Sequence, residues 1–321
     1  EQPFLYRVRL SLLRAGRETD RVESYFGLRT FAVQPDENGT PYFLLNGRPY
    51  FQKGLLDQGY WPDGLYTAPS DEALIYDIQT MKNLGFNMIR KHVKVETARW
   101  YYHCDRLGMI VWQDMVNGGT YNAPFMTWLP ALFPKFKLHT SDRIHPLFGR
   151  KNVHGREEFI RECKETVTAL KAFPCISTWV IFNEGWGQFD SKKLTALFRE
   201  LDDTRLIDSA SGWVDRRQGD FKSEHNYFAK QFVTPSDRAF VISEYGGYTC
   251  QVKGHTCSGK TYGYKICSSQ EEFQAAYHKL MSEEIDPLKE QGLCGAVYTQ
   301  LSDIEDEING LMTYDREVCK L

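Results

Sequence analysis

The chain has 321 residues, 39 basic and 42 acidic side chains, and a formal net charge of −3 at pH 7. This length suits one large α/β barrel, for which about 250 residues are typical. The charge balance gives no indication of the basic patch that nucleic-acid binding requires, and no apolar run reaches the roughly 20 residues of a membrane-spanning helix. We therefore expect neither a nucleic acid nor a membrane as a partner.

Residues 1–34 alternate apolar and polar side chains, and Tyr6, Val8 and Leu10 fall on one face of the alternation. This pattern predicts two β-strands with a turn around residues 14–17. Two strands alone cannot enclose a core. We therefore expect residues 1–34 to be the terminal strands of a preceding, truncated β-sandwich domain, and residues 35–321 to form a separate barrel domain.

Residues 42–51 contain the pair Asn46-Gly47, which supplies the positive φ angles that a two-residue hairpin turn requires. After this hairpin, predicted strands alternate with predicted helices. Helices are predicted at 71–84, 97–107, 157–172, 191–201 and 270–291, and strands at 51–56, 86–90, 109–112, 176–182, 205–210, 221–226, 238–243 and 293–298. Eight strands in such an alternation predict a closed (β/α)8 TIM barrel.

Local sequence signals also mark where one of the predicted helices begins and ends. The helix at 71–84 has Ser70 as its candidate N-cap and Gly85 as its stop.

The segment 115–153 is rich in Pro, Phe and Trp and is too long to serve only as a connection between two elements. We expect this segment to shape a functional site.

The eight cysteines include no CxxC pair. Cys250, Cys257 and Cys267 lie in one loop with His255 between them, but their spacing does not match zinc-binding patterns. We expect free thiols, or one disulfide, rather than a metal site in this loop.

Two of the predicted strands end in a glutamate. Residues 176–182 form a largely apolar run that is typical of a strand buried on both faces, and Asn183 and Glu184 follow it. Residues 240–243 are followed by Glu244. Barrel enzymes keep their chemistry at the C-terminal ends of their strands. The two glutamates therefore indicate catalysis by paired carboxylates.

Paired carboxylates can cleave a glycosidic bond, because one protonates the leaving oxygen while the other attacks the anomeric carbon or activates water. The acid must keep its proton near neutral pH, and Trp186 could provide apolar cover for Glu184. The second carboxylate must stay ionised. Its candidate hydrogen-bond donors are Tyr245, Tyr227 and Arg90.

Two motifs resemble those of glycoside hydrolase family 2, which includes β-galactosidases, β-glucuronidases and β-mannosidases. Residues 181–185, Ile-Phe-Asn-Glu-Gly, are similar to its acid/base motif, and residues 243–246, Ser-Glu-Tyr-Gly, to its nucleophile motif. Residues 25–29 resemble the exit from the immunoglobulin-like domain of that family, and residues 45–54 resemble the start of its barrel. The resemblance covers nearly the whole chain.

The resemblance implies a retaining exo-β-glycosidase in which Glu184 is the general acid/base and Glu244 the nucleophile. Asn183 is implied to hydrogen-bond the 2-hydroxyl of the sugar. An oligosaccharide or glycoside is the implied substrate, and the missing N-terminal β domains of the same chain are the implied partner. We expect no cofactor and no metal. Residues 112–114 are similar to the β-mannosidase branch whereas residues 183–186 are not, so the identity of the sugar stays open.

Further side chains at predicted strand ends are candidates for contact with the sugar. They are Arg90, Asp57, Asp114, Trp213, His225, Tyr227 and Tyr298. Arg90 could instead form a salt bridge that closes the barrel floor, and Asp114 could cap the next segment. The rings of Trp213 and Tyr298 could stack on the sugar or only pack.

Two groups are interpreted as structural. His92 is interpreted as a hydrogen-bonded barrel histidine. The acidic run of Asp303, Glu305, Asp306 and Glu307 is interpreted as a solvated loop, with a cation site as the alternative.

Two other functions stay open. The aromatic content of 14% could serve a barrel that binds carbohydrate without turnover. Alternatively, the chain could be a catalytic fragment that needs its missing N-terminal domains.

Overall fold

The computed structural model describes residues 3–120, 141–257 and 259–321. The strands of these residues, in chain order, are β1 (Leu5–Arg14), β2 (Arg17–Gly27), β3 (Phe31–Pro35), β4 (Pro41–Leu45), β5 (Arg48–Pro49), β6 (Gln52–Asp57), β7 (Met88–Lys91), β8 (Ile110–Asp114), β9 (Ile176–Val180), β10 (Leu206–Asp208), β11 (Phe221–Asn226), β12 (Ala239–Gly246), β13 (Tyr248–Cys250), β14 (Lys265–Cys267) and β15 (Leu293–Thr299). The α-helices are α1 (Asp71–Asn83), α2 (Ala98–Leu107), α3 (Val153–Leu170), α4 (Ser191–Leu201), α5 (Gln270–Leu280) and α6 (Asp286–Lys289).

Eight parallel strands form the central sheet, in the order β10-β9-β8-β7-β6-β15-β12-β11. The predicted TIM barrel is therefore confirmed, but its closure differs from the prediction. β10 and β11 do not pair through their backbones, and the hydroxyl of Ser223 on β11 donates to Asp208 on β10 instead. β10 is only three residues long, which leaves little backbone to continue the ladder. The barrel is nearly closed, with a side-chain seam.

Side chains of the barrel strands alternate between two apolar clusters, as the two-residue period of a strand requires. Leu56 and Met88 belong to a cluster in the barrel interior. Their neighbours Leu55 and Ile89 pack outward in the cluster that includes the helices. The same alternation decides which polar residues at the strand ends can face the open end of the barrel.

A small sheet of β3, β4 and β5 closes the opposite end of the barrel. Phe43 on β4 is fully buried and belongs to the same interior cluster as Leu56 and Met88. The predicted hairpin turn is confirmed, because Asn46 and Gly47 have φ angles of 51° and 73°. Apolar side chains fill this floor, and the barrel opens at the C-terminal ends of its strands.

The helices begin and end largely where their local signals predict. The hydroxyl of Ser70 accepts a hydrogen bond from the backbone N–H of Ala73 at the start of α1, and Gly85 has a φ of 80° just after its end. The predicted long helix at 270–291 is divided into α5, a π-helical segment Met281–Ile285 and α6, with Pro287 in the first turn of α6. Among the described residues, no helix is both long and apolar enough to cross a membrane.

The antiparallel pair of β1 and β2 confirms the two predicted N-terminal strands. Its apolar side chains are largely exposed, and the hydroxyl of Tyr25 donates to Asp105 of α2 at 2.7 Å. The assignment of residues 1–34 to a preceding β-sandwich domain stays a prediction.

All eight cysteines fall in the described ranges and are free thiols. Free thiols were one of the two outcomes expected for the loop that contains Cys250, Cys257 and Cys267.

Replacing Ile78 of α1 by Ala is expected to lower the free energy of unfolding by about 2–5 kcal/mol, because its fully buried side chain packs between barrel and helices. The matched change Ile266→Ala on β14 removes a side chain that is 70% exposed, and we expect a change below about 0.5 kcal/mol. Urea unfolding followed by tryptophan fluorescence measures both, and equal losses would contradict this description of the core.

Candidate active site

A cavity of about 620 Å³ lies at the open end of the barrel. Small-molecule sites of folded proteins are commonly 300–1,000 Å³ in volume. Among the predicted site residues, those that line this cavity are Asn183, Glu184, Trp213, Tyr227 and Glu244. The two predicted catalytic glutamates therefore share one cavity that is large enough for a sugar ring.

The backbone holds Glu184 in an unusual conformation. Its φ angle is 55°, in the left-handed region, which costs a residue with a side chain about 1–2 kcal/mol. The backbone N–H of Glu184 donates to the carbonyl of Ser211 at 2.8 Å, and Asn183 pairs with Ser211 in a parallel bridge. These bonds to the segment after β10 offset the strain. Strained residues of this kind cluster at functional sites.

The environment of Glu184 favours its protonated form. Its side chain is 25% exposed, and burial raises its pKa to about 7, against the opposing charge of Arg90. Nδ1 of His225 lies 2.9 Å from Oε1 of Glu184. A carboxyl group with such a pKa can give up a proton and regain it near neutral pH.

Glu244 has a different set of partners. The Arg90 guanidinium donates from Nη1 to Oε1 at 2.9 Å, and the hydroxyl of Tyr227 donates to Oε2 at 2.5 Å. Burial raises the pKa of Glu244 and the nearby charge of Glu184 adds to this, while Arg90 and the Tyr227 hydrogen bond oppose the rise. A cation and a phenol that contact Glu244 directly therefore stabilise its ionised form against the effect of burial.

Arg90 is fully buried beneath the cavity, at 0% exposure of its side chain. It forms a bidentate pair with Asp114, with Nε–Oδ1 and Nη2–Oδ2 distances of 3.0 and 2.9 Å. Nη2 also donates to Oδ1 of Asn183 at 2.7 Å. Because Oδ1 is occupied in this way, the amide nitrogen of Asn183 is the group left to donate into the cavity.

His225 lies between the two carboxylates. Its Nδ1 is 2.9 Å from Glu184 and 3.4 Å from Oε2 of Glu244, and its Nε2 is 3.0 Å from the hydroxyl of Ser211. Burial lowers its pKa to about 4, with Arg90 adding to the effect and Glu244 opposing it. The ring is therefore neutral at neutral pH. Trp213 donates from Nε1 to the backbone carbonyl of His225 at 3.1 Å and borders the cavity.

The two carboxylates approach closely. Glu184, His225 and Glu244 each bring one ligand atom within 4.8 Å of the others, a spacing at which a metal ion can also be held. Arg90, however, already places a positive charge against Glu244 and Nε2 of His225. This charge disfavours a second cation at the same place. A second group of possible ligands, His255, Asp315 and Glu317, lies at the surface.

Two predicted sugar contacts, Asp57 and Tyr298, do not line the cavity. Asp57 follows the outward-facing Leu55 in the alternation and pairs with Lys91 at 2.5 Å. Tyr298 is fully buried against Tyr245 in the outer cluster, with 5.6 Å between their ring centroids. The structure therefore gives both residues supporting contacts in place of the direct sugar contact that the sequence suggested.

Three further predicted side chains also have supporting positions. Tyr245, a candidate donor to Glu244, turns outward and lies 3.2 Å from the sulfur of Met281. Asp114 and Arg90 face inward but are fully buried below the cavity. Arg90 thus makes the predicted contact with Glu244 and a salt bridge as well.

Several cavity residues were not identified from the sequence as site residues. Tyr264 stacks on Tyr227 with 3.7 Å between ring centroids, and Lys94 and His92 line the wall. His92 was interpreted as a barrel histidine, yet its Nε2 lies 3.8 Å from Oε1 of Glu244. None of these residues follows a periodic pattern that could have placed it, since each lies outside the strands.

The interpretation of residues 303–307 as a solvated loop is wrong in part. Asp303 is buried and pairs with Lys320 at 2.6 Å, and Glu307 lines the cavity. Of the four acidic residues in this prediction, Glu305 and Asp306 are exposed.

The segment 115–153 was expected to shape the site. Its residues 121–140 lie outside the described residues, while Asn117 lines the cavity.

Comparison with known proteins identifies the family of the barrel domain. The family model described as "Glycosyl hydrolases family 2, TIM barrel domain" matches residues 40–320. A β-galactosidase of Priestia megaterium is 26% identical over 285 residues, which cover 82% of this chain and 24% of the relative. A β-galactosidase of Lactococcus lactis is 29% identical over 155 residues, which cover 46% of this chain and 15% of the relative. The chain thus spans about a quarter or less of these curated relatives.

A solved structure of a β-glucuronidase from Bifidobacterium dentium, complexed with coumarin-3-O-glucuronide, has a similar fold. The TM-score is 0.68 at 19% sequence identity, and the match covers 98% of this chain and 51% of that chain. At this level of identity the likeness shows the fold alone.

The raised pKa of Glu184 predicts a dependence of stability on pH. A carboxyl group with a higher pKa in the folded than in the unfolded state costs stability as pH rises from about 4.5 to about 7. We therefore expect Glu184→Gln to increase the free energy of unfolding by about 2–3 kcal/mol at pH 8 but not at pH 4. Denaturant unfolding at the two pH values tests this.

The exposed Glu290→Gln serves as the matched control and should change stability little at either pH. An equal effect of Glu184→Gln at both pH values would show that its carboxyl is not strained by burial.

Proposed function

Because this chain belongs to glycosyl hydrolases family 2, we propose that its barrel removes a terminal β-linked sugar from an oligosaccharide or glycoside, with retention of configuration. The observation that carries the proposal is the pair of strand-end glutamates, which bring carboxylate oxygens within 4.8 Å of each other in one cavity. Retaining enzymes have carboxyl groups about 5–5.5 Å apart, whereas inverting enzymes have roughly 6.5–9.5 Å. The close approach supports the retaining reaction.

In the first step of this proposal, Glu244 attacks the anomeric carbon and forms a glycosyl ester. The bond from the anomeric carbon to the leaving oxygen breaks, and Glu184 gives its proton to that oxygen. Arg90 and Tyr227 hold the Glu244 carboxylate in place and in its ionised form. Asn183 is positioned to donate its amide N–H to a sugar hydroxyl.

In the second step, Glu184 acts as a base. It takes a proton from water, the water oxygen attacks the anomeric carbon, and Glu244 leaves as a carboxylate. Esterification of Glu244 removes a negative charge beside Glu184, so the pKa of Glu184 falls in the intermediate. A group with a pKa of about 7 in the free protein can therefore be an acid first and a base second. Two inversions at one carbon give net retention.

Replacing Glu244 by Gln should lower kcat/KM by at least about 10⁴-fold on the best of four 4-nitrophenyl β-glycosides, because the amide is a poor nucleophile. The panel is the galactoside, glucoside, mannoside and glucuronide. The control is Glu290→Gln, which lies on the surface. Full activity of the Glu244 variant would refute its role. Binding of sugar by the unmodified chain without turnover would favour a carbohydrate-binding barrel instead.

Replacing Glu184 by Ala should slow a substrate with a poor leaving group by about 10²–10⁴-fold, and azide should restore turnover and yield the β-glycosyl azide. In the unmodified protein, kcat/KM should fall about tenfold per pH unit above pH 7, because Glu184 must carry its proton. The leaving group of a 2,4-dinitrophenyl glycoside departs without protonation, so kcat/KM for this substrate should not fall above pH 7. An α-configured azide product would contradict the assigned roles.

A further inference from the structure

The cavity is lined by more negative than positive charge. Among its described lining residues, the carboxyl groups are Glu184, Glu244 and Glu307, and the cation is Lys94. His92 also lines the wall, but burial and the charge of Arg90 lower its pKa well below the usual value. The histidine therefore adds no positive charge near neutral pH.

Lys94 has no donor left for a ligand. Its ammonium group is 2.8 Å from a carboxylate oxygen of Glu96 and donates to the backbone carbonyls of Gly59 and Tyr66. A lysine has three N–H donors, and these three partners use them all. The side chain is also almost fully buried beneath the wall, at 3% exposure.

Arg90 cannot pair with a ligand either. Its guanidinium is fully buried, and its nitrogens are occupied by Asp114, Asn183, Glu244 and the carbonyl of Ser243. Within the described part of the chain, the cavity therefore offers no cation that is free to bind a carboxylate of the substrate.

Glu307 presents an acceptor to the same cavity. Two side-chain amides, Gln58 Nε2 and Gln300 Nε2, donate to its Oε2 at 3.2 and 3.1 Å. Both bonds end on one oxygen, and no donor to Oε1 is found among the described residues. The amide donors stabilise the ionised form, while burial raises the pKa of Glu307 first and the charge of Glu184 raises it further. Oε1 is thus free to accept a hydrogen bond from a ligand hydroxyl.

A short chain of contacts connects Glu307 with the reacting groups. Gln300 follows Thr299, whose hydroxyl lies 3.0 Å from the hydroxyl of Tyr227. Tyr227 in turn donates to Oε2 of Glu244. Glu307 therefore lies in the same cavity as Glu184 and Glu244 and is connected with Glu244 through Thr299 and Tyr227, which also line this cavity.

We propose that this site takes a neutral hexopyranoside in preference to a uronoside, and that Glu307 sets this preference by accepting a sugar hydroxyl. The proposal rests on the glycosidase function proposed above. A uronoside would add a further carboxylate to a cavity that already holds the carboxylates of Glu244 and Glu307 and the carboxyl group of Glu184, and no lining residue that the structure describes offers a free cation to pair with it. Unpaired like charges in a partly desolvated site strongly disfavour binding. A hydroxyl, in contrast, donates to the Glu307 carboxylate.

The test compares substrates that differ only at C6. The pairs are 4-nitrophenyl β-galactoside with β-galacturonide, and 4-nitrophenyl β-glucoside with β-glucuronide, at pH 7. In the faster pair, kcat/KM of the neutral member should exceed that of the uronide by at least about 100-fold. A faster uronide would overturn the inference and leave the glycosidase function intact. Turnover of neither pair would overturn the inference, and if the 4-nitrophenyl β-mannoside is not hydrolysed either, the proposed function is refuted with it.

The role of Glu307 is tested by Glu307→Gln, which keeps the shape and removes the charge. The kcat/KM of the neutral member should fall about tenfold, and the ratio of neutral to uronide rates should fall at least tenfold. Glu305→Gln is the matched control on the same loop, where the side chain is exposed, and its ratio should stay within twofold. Thermal melting establishes that both variants are folded. Equal ratios of neutral to uronide kcat/KM in the two folded variants would overturn the role of Glu307.

Discussion

A single buried guanidinium holds the site together. Arg90 reaches from β7 to Asp114 on β8, to Asn183 after β9 and to Glu244 on β12. A buried charge is tolerated only when it is paired and hydrogen-bonded, and Arg90 meets this requirement with carboxylates and an amide from three other strand ends. The requirement acts in both directions. The cation keeps those side chains in place, and their charges keep the cation buried below a cavity that is open to ligand.

The same guanidinium makes two chemically identical side chains unlike. Glu244 receives hydrogen bonds from Arg90 and Tyr227, whereas Glu184 is met by His225, whose ring is neutral because burial lowers its pKa to about 4. A carboxylate with a cation and a phenol beside it is stabilised as an anion. Burial raises the pKa of Glu184 to about 7, and the neutral ring beside it provides no positive charge to oppose this. The division of labour proposed for the two glutamates follows from these surroundings.

Charge beyond the catalytic pair bears on what the cavity accepts. The described lysine and arginine near the cavity are fully engaged by protein groups, and Glu307 adds a further acceptor. Membership of a family does not by itself decide this property. The distinction between a hydroxymethyl group and a carboxylate depends instead on a few side chains that follow the strands.

The sequence by itself determined the barrel, the hairpin at Asn46-Gly47, the cap of α1 at Ser70, and the two strands whose C-terminal ends lie near Glu184 and Glu244. Each of these depends on local signals: turn chemistry, apolar runs, or a carboxyl group at the end of a run. The tertiary structure decided which way the strand-end residues face. Strands buried on both faces show no polar alternation in sequence, so Asp57 and Tyr298 could not be assigned to the outer side from their neighbours.

Only the tertiary structure decided the seam between β10 and β11, the stacking of Tyr264 on Tyr227, and the place of Glu307 in the cavity. These contacts join residues from loops and short strands that have no periodic pattern. Gln58 donates a hydrogen bond to Glu307 although the two residues are 249 positions apart in the sequence. A sequence records the order of residues, whereas such contacts depend on how the barrel brings its first and last strands side by side.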